Sequence, residues 1–102
     1  MANTVKVELE FATDTPNSMT FAEIYEGLDS IWYRVSSDGR GGVEVWGNAS
    51  GLEFLGRLFL KMARTPKVSG YHDHRTLEFS AGPSISEPEL TIGIVDSRPN
   101  AV

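Results

Sequence analysis

The chain has 102 residues, of which 40% are hydrophobic and 23% charged, and its formal net charge is −5. This length suits one hydrophobic core, so we predict a single domain over residues 1–96 and a loose tail over residues 97–102. The absence of cysteine excludes disulfides, zinc-thiolate sites and thiol nucleophiles. The acidic charge argues against nucleic acid as a partner, because phosphate binding depends on Lys and Arg.

The N-terminal residues Met1-Ala2-Asn3-Thr4 lack the charged start and apolar core of a signal peptide. No apolar run approaches the length that spans a bilayer. We therefore expect a soluble cytoplasmic protein that does not bind membranes.

The first quarter of the chain predicts a strand and then a short helix. Apolar residues alternate with charged ones over residues 5–11, the pattern of a half-buried strand. Thr20 and Glu23 have the spacing of a helix capping box, and apolar residues then follow at helical spacing. We predict a helix over residues 21–29, with Glu23 and Glu26 on its exposed side.

The middle of the chain predicts a β-hairpin. Residues 31–35 alternate between apolar and polar types, and the alternation resumes at Val43 and Val45 after a glycine-rich stretch, residues 36–42. Glycine tolerates the positive φ angles of tight turns, so this stretch is interpreted as the hairpin turn. It matches neither the dinucleotide-binding nor the P-loop pattern of glycines.

A main helix is predicted to follow, ending near Arg64 because Pro66 disfavours helical geometry at the preceding residue. Asn48 and Ser50 both offer N-caps. The apolar arc is unusually wide, with Phe59 at its centre, and we expect Phe59 to be deeply buried. The polar seam of the helix consists of Glu53, Arg57, Lys61 and Arg64. Either other elements of the domain or another chain must cover such a wide arc.

Two further strands are predicted over residues 71–79 and 90–96, with a polar loop containing two prolines between them. The predicted order is β-α-β-β-α-β-β. This order indicates an α+β domain with a mainly antiparallel sheet of about five strands and two helices packed on one face.

No catalytic motif is present in the sequence, and we predict neither catalytic residues nor a cofactor. One alternative is a metal site. His72 and His74 have the i, i+2 spacing that places both imidazoles on one face of a strand, and Glu78 shares that face. Two histidines without a dependable third ligand fall short of a closed zinc site, so this metal-dependent alternative is the second hypothesis.

Charge is distributed unevenly along the chain. Up to Glu53 there are nine acidic and three basic residues, whereas the remainder has five acidic and six basic residues. An acidic half can steer association with a basic partner, although solvated acids also keep a small protein soluble. Trp46 becomes a candidate hot spot if it projects outward beside acidic residues. The predicted partner-binding residues are Glu23, Glu26, Asp29, Glu44 and Trp46.

Four segments between Val45 and Val95 carry a family resemblance: Gly47-Asn48 leading into Gly51-Leu52, the apolar helix over residues 52–63, Gly70-Tyr71-His72-Asp73-His74, and the strand Glu89-Leu90-Thr91-Ile92. In these segments the chain resembles immunity protein family 32, small bacterial immunity proteins of polymorphic toxin systems. The resemblance implies a non-enzymatic cytoplasmic protein that neutralises a cognate toxin by binding and occluding it. A homo-oligomer that buries the wide apolar helix is a further alternative.

Overall fold

The computed structural model of the chain describes residues 3–79 and 89–97. It is an α+β domain, as predicted, with two helices and two antiparallel two-stranded sheets. In chain order its elements are α1 (Ala22–Tyr25), β1 (Tyr33–Ser37), β2 (Val43–Gly47), α2 (Ala49–Arg64), β3 (His72–Thr76) and β4 (Glu89–Gly93). None of the described helices is long and apolar enough to cross a bilayer. The predicted polar loop and nearly all of the predicted tail lie outside the described residues.

The strand predicted over residues 5–11 is wrong, and the described part of the sheets has four strands rather than five. Residues 3–15 belong to no helix or strand, and Val5 and Val7 are largely exposed. Alternation makes a segment compatible with a strand, but a strand forms only where a neighbouring edge supplies backbone hydrogen bonds. We call residues 3–15 the N-terminal arm.

The first helix is a single turn rather than the predicted nine-residue helix. Its N-cap residue is Phe21, which makes no side-chain capping bond, so the predicted capping box is wrong. Gly27 follows with a φ of 75°, a left-handed conformation that stops the helix. The carboxylate of Glu23 is not available for capping because it accepts hydrogen bonds from Lys61 and from the backbone N–H of Ala12.

The predicted hairpin and main helix are confirmed, and Asn48 joins them. Its side-chain oxygen accepts hydrogen bonds from the backbone N–H groups of Gly51, at 2.7 Å, and Trp32, at 3.1 Å. The first bond is the N-cap of α2. A Cβ atom at Gly51 would lie 1.7 Å from the carbonyl oxygen of Trp32, so only glycine permits this close approach of helix and hairpin.

The two sheets meet because the chain after β3 changes strand partner. Residues 72–76 pair with β4. The next residues bond to β1 instead: the N–H of Val35 donates to the carbonyl of Leu77 at 2.7 Å, and the N–H of Phe79 donates to the carbonyl of Tyr33 at 3.1 Å. The single predicted sheet is therefore two short ladders joined by a few backbone bonds.

The core forms where side chains of α2 pack against residues of the first helix and the ladders. Its buried apolar members are Met19, Ile24, Tyr33, Phe54, Leu55, Leu58 and Met62. The rings of Tyr33 and Phe54 are stacked with their centroids 6.0 Å apart, and Phe79 packs edge-on against Phe54 at 5.8 Å. The burial predicted for Phe59 is wrong, since 49% of this residue is exposed. The apolar arc of α2 is wider than the core, which covers only the side that carries Phe54.

Phe54 and Phe59 therefore form a matched pair for testing the orientation of α2. We expect Phe54→Ala to lower the free energy of unfolding by about 3–5 kcal/mol, the usual cost of truncating a buried phenylalanine. We expect Phe59→Ala to cost less than about 1 kcal/mol, because its side chain is already half in water. Equilibrium urea denaturation of both variants measures the difference, and equal losses would contradict the helix orientation described here.

Candidate functional site

Lys61 is charged, yet its side chain is fully buried. The sequence predicted it on the polar seam of α2, but it lies on the same stripe as Phe54 and Leu58, which precede it by seven and three positions. Its ammonium group donates to the carbonyl oxygen of Thr20 at 2.7 Å and to a carboxylate oxygen of Glu23. Asp14 lies 3.2 Å away and completes a second ion pair. A buried ammonium group needs such partners to offset its lost hydration.

These contacts attach the N-terminal arm to α2. The carboxylate of Asp14 also accepts the backbone N–H of Thr20 at 2.8 Å. The hydrogen bond from the Thr20 backbone is the largest cause that lowers the pKa of Asp14, and burial opposes it. The hydrogen bond and positive charge of Lys61 lower the pKa further. The hydrogen bond from Lys61 lowers the pKa of Glu23, again against burial. Glu23 is therefore an internal ion-pair member, and the expected placement of its carboxylate on the exposed side of the first helix is wrong.

Arg57 fastens α1 to α2 one turn nearer the start of the helix. Its guanidinium donates to the backbone carbonyls of Glu23 and Ile24 at 3.2 Å and to that of Glu26 at 2.7 Å. These carbonyls lie in and just after α1, where the helix leaves acceptors unsatisfied. The same guanidinium pairs with the carboxylate of Glu53. The positive charge of Arg57 is thus largely committed within the protein.

An open groove of about 330 Å³ lies where the arm crosses α1 and α2. Its lining residues are Glu8, Leu9, Glu10, Glu23, Glu26 and Arg57. Glu23 is paired with Lys61, and Arg57 with Glu53. Three exposed carboxylates remain, those of Glu8, Glu10 and Glu26. We call this feature the acidic groove; its negative charge suits a Lys or Arg side chain of a partner.

The hairpin presents a second exposed surface, with a different character. Trp46 is 60% exposed, and its indole N–H lies 3.5 Å from the carboxylate of Glu44. The condition set for Trp46 as a hot spot, that it projects outward beside an acid, is met. Trp32 differs, because it is partly buried and its indole N–H donates to Glu78 at 3.0 Å. Asp29 is exposed in the loop before β1.

The predicted partner residues therefore do not form one surface, since Glu23 is in the internal ion pair and Asp29 is in the loop before β1. Glu26 lies at the acidic groove, whereas Glu44 and Trp46 lie on β2. Glu8 and Glu10 were not predicted as groove residues, because the alternation over residues 5–11 places them on the outer face of a strand. The position of Lys61 on the buried stripe of α2 signals the internal acids Asp14 and Glu23, since a buried ammonium requires partners, but no sequence signal points to Glu8 and Glu10.

The histidine pair is held apart from Glu78. The rings of His72 and His74 lie 4.9 Å apart, edge to face, and His74 contacts Glu89 at 3.0 Å across the β3–β4 ladder. Glu78 instead accepts from Trp32 and lies 3.7 Å from Arg34. Within residues 3–79 and 89–97, no group of three His, Asp or Glu side chains has the geometry to hold a metal ion.

An apolar recess of about 220 Å³ lies between α2 and β4. It is lined by Phe59, Met62, Ala63, Ile92, Gly93 and Ile94. Phe59 lines this recess and is half exposed. The recess carries no polar group suited to chemistry.

A scan against protein-family models, a search of curated proteins and a search of solved structures each found no match to this chain. The resemblance to immunity protein family 32 therefore rests on its four short segments and stays a prediction.

The role of Lys61 can be tested against Arg64, a basic residue of the same helix turn that is exposed. We expect Lys61→Met to lower the free energy of unfolding by roughly 1–3 kcal/mol, because it leaves the Thr20 carbonyl without its side-chain donor and two carboxylates without their counterion. We expect Arg64→Met to change it by no more than about 0.5 kcal/mol. Chemical denaturation at neutral pH measures both, and equal effects would contradict a structural role for the buried ammonium.

The lowered pKa values of Asp14 and Glu23 predict how stability depends on pH. Their contribution is present above the pKa values of the unfolded chain, near 4, and is lost as the pH falls through the lower folded values. Wild-type stability should therefore decline below about pH 4. The stability difference between wild type and Lys61→Met should shrink over the same range. Denaturation curves collected across pH measure this difference, and a constant difference would contradict the ion pairing.

Proposed function

We propose that this chain is a protein-binding module that neutralises a cognate toxin by binding and occluding it. The observation that supports the proposal is the acidic groove. Its exposed carboxylates, those of Glu8, Glu10 and Glu26, lie around one open concavity. Negative charge gathered in this way attracts a basic protein surface and raises its association rate.

The groove is built so that its own cations do not cancel its charge. Lys61 is fully buried and is saturated by Asp14, Glu23 and the Thr20 carbonyl. Arg57 pairs with Glu53 and with backbone carbonyls. A basic side chain of a partner would therefore meet carboxylates that have no internal counterion among the described residues.

The toxin-neutralising part of the proposal comes from the resemblance to immunity protein family 32. Such proteins act by contact rather than by catalysis, and a polar, open groove suits a protein contact better than it suits a small substrate. The metal-dependent alternative gains no support, because Glu78 is held by Trp32 and Arg34 rather than by the histidines.

Charge reversal at Glu26 tests the groove. If the gene beside this one encodes a toxin with a basic domain, that domain is the partner to measure. We expect Glu26→Lys to slow association at low salt by about tenfold and to change dissociation less. Wild-type association should also slow as salt shortens the Debye length from about 10 Å at 0.1 M to about 3 Å at 1 M. Stopped-flow or surface-based kinetics measures both rates.

Asp96→Lys is the matched control, since Asp96 is exposed, lies outside the groove and gives the same change in net charge. It should slow association far less than Glu26→Lys. Glu23 is avoided, because a lysine there would face Lys61 and would detach the arm from α2. An association rate indifferent to salt and to Glu26→Lys would contradict the acidic groove as the contact surface.

A further inference from the structure

The outer edge of β2 has no strand partner among the described residues. The backbone shows which groups point there. The N–H of Asn48 donates to the carbonyl of Trp32, and the N–H of Asp38 donates to the carbonyl of Gly42. The even-numbered residues of the hairpin therefore bond across it, between β1 and β2. The N–H of Val35, an odd-numbered residue of β1, points away from β2 and donates to the carbonyl of Leu77. By alternation, the N–H and C=O groups of Val43, Val45 and Gly47 point outward, away from β1.

This edge is also apolar on the side that faces α2. Val43 is 73% exposed and Val45 is 54% exposed, although both lie on the same face of the hairpin as the buried Tyr33. Leu52 of α2 continues this surface and is half exposed. The strand has no proline or lysine, the residues that commonly protect an edge from pairing. The core-facing side of the hairpin thus extends beyond the cover that α2 provides.

We propose that β2 pairs antiparallel with β2 of a second copy of this chain, about a twofold axis through Val45. In this register Val45 faces Val45 of the partner subunit, and Val43 faces Gly47 of the partner subunit. Every outward backbone group of the strand then forms a bond. The result is a four-stranded sheet across the dimer, formed by an isologous contact.

The side chains fit this register. A Cβ atom at Gly47 would lie 3.3 Å from Leu52, so the partner subunit's Val43 would pass over the glycine and reach Leu52. On the opposite face Glu44 lies across from Trp46 of the partner subunit, not from another acid. The indole N–H of Trp46 lies 3.5 Å from Glu44 of its own chain. In the dimer it can donate instead to the carboxylate of Glu44 of the partner subunit.

Charge favours a second copy over a basic partner at this edge. The hairpin carries two basic and two acidic side chains, Arg34, Arg40, Asp38 and Glu44. It is therefore nearly neutral, unlike the acidic groove. The excess negative charge of the chain lies elsewhere and does not oppose the contact. This surface also differs from the wide apolar helix that the sequence suggested for oligomerisation.

The experiment is sedimentation equilibrium of the full chain over a wide range of concentration. We expect the mass to rise from that of one chain to that of two. Val45→Lys places like charges opposite each other on the axis and should weaken the dimer by at least about tenfold. Val5→Lys makes the same substitution at another exposed valine and should leave the dimer intact.

A second experiment mixes Val45→Lys chains with Val45→Glu chains, which places opposite charges across the proposed axis. A restored dimer would show that both variants fold and that Val45 faces Val45 of the partner subunit. The mixture should restore a dimer that neither variant forms alone. A wild-type chain that stays monomeric at every concentration would overturn the proposal. So would a dimer that Val45→Lys leaves unchanged, one that Val5→Lys weakens equally, or mixed variants that stay monomeric.

Discussion

The ammonium group of Lys61 is the constraint on which the arrangement of this domain depends. It is buried on the core stripe of α2, where an unpaired charge would cost several kcal/mol. Asp14, Glu23 and the carbonyl of Thr20 surround it, and all three come from the segment before the hairpin. That segment has no strand partner, so these polar contacts, together with Met19 and Ile24, hold it against the helix.

The same interaction sorts the acids of the chain into two groups. Asp14 and Glu23 are internal, and their pKa values are lowered by the bonds that hold the arm. Glu8, Glu10 and Glu26 remain exposed around the acidic groove. A count of acids along the sequence treats both groups alike. Burial of one lysine decides which carboxylates support the structure and which are available to a partner.

The hairpin offers a surface of different chemistry. Its edge strand is apolar and nearly neutral, with Val43, Val45 and Trp46 exposed. The acidic groove suits a basic partner through long-range attraction, whereas the strand edge suits backbone pairing of short range. The two proposals use different residues, so a failure of one leaves the other to be judged by its own experiment.

The sequence by itself determined the elements whose signals are local. The glycine-rich stretch before Val43 predicted the hairpin turn, and Asn48 and Pro66 set the limits of α2, because turn and cap preferences act over a few residues. Tertiary structure decided the rest. Residues 5–11 alternate like a strand but lack a neighbouring edge, and the arc of α2 is apolar enough to bury either Phe54 or Phe59. Which side faces inward is coupled to the contacts that Lys61 makes with Thr20 and Glu23, about forty residues away along the chain, and no local pattern encodes such contacts.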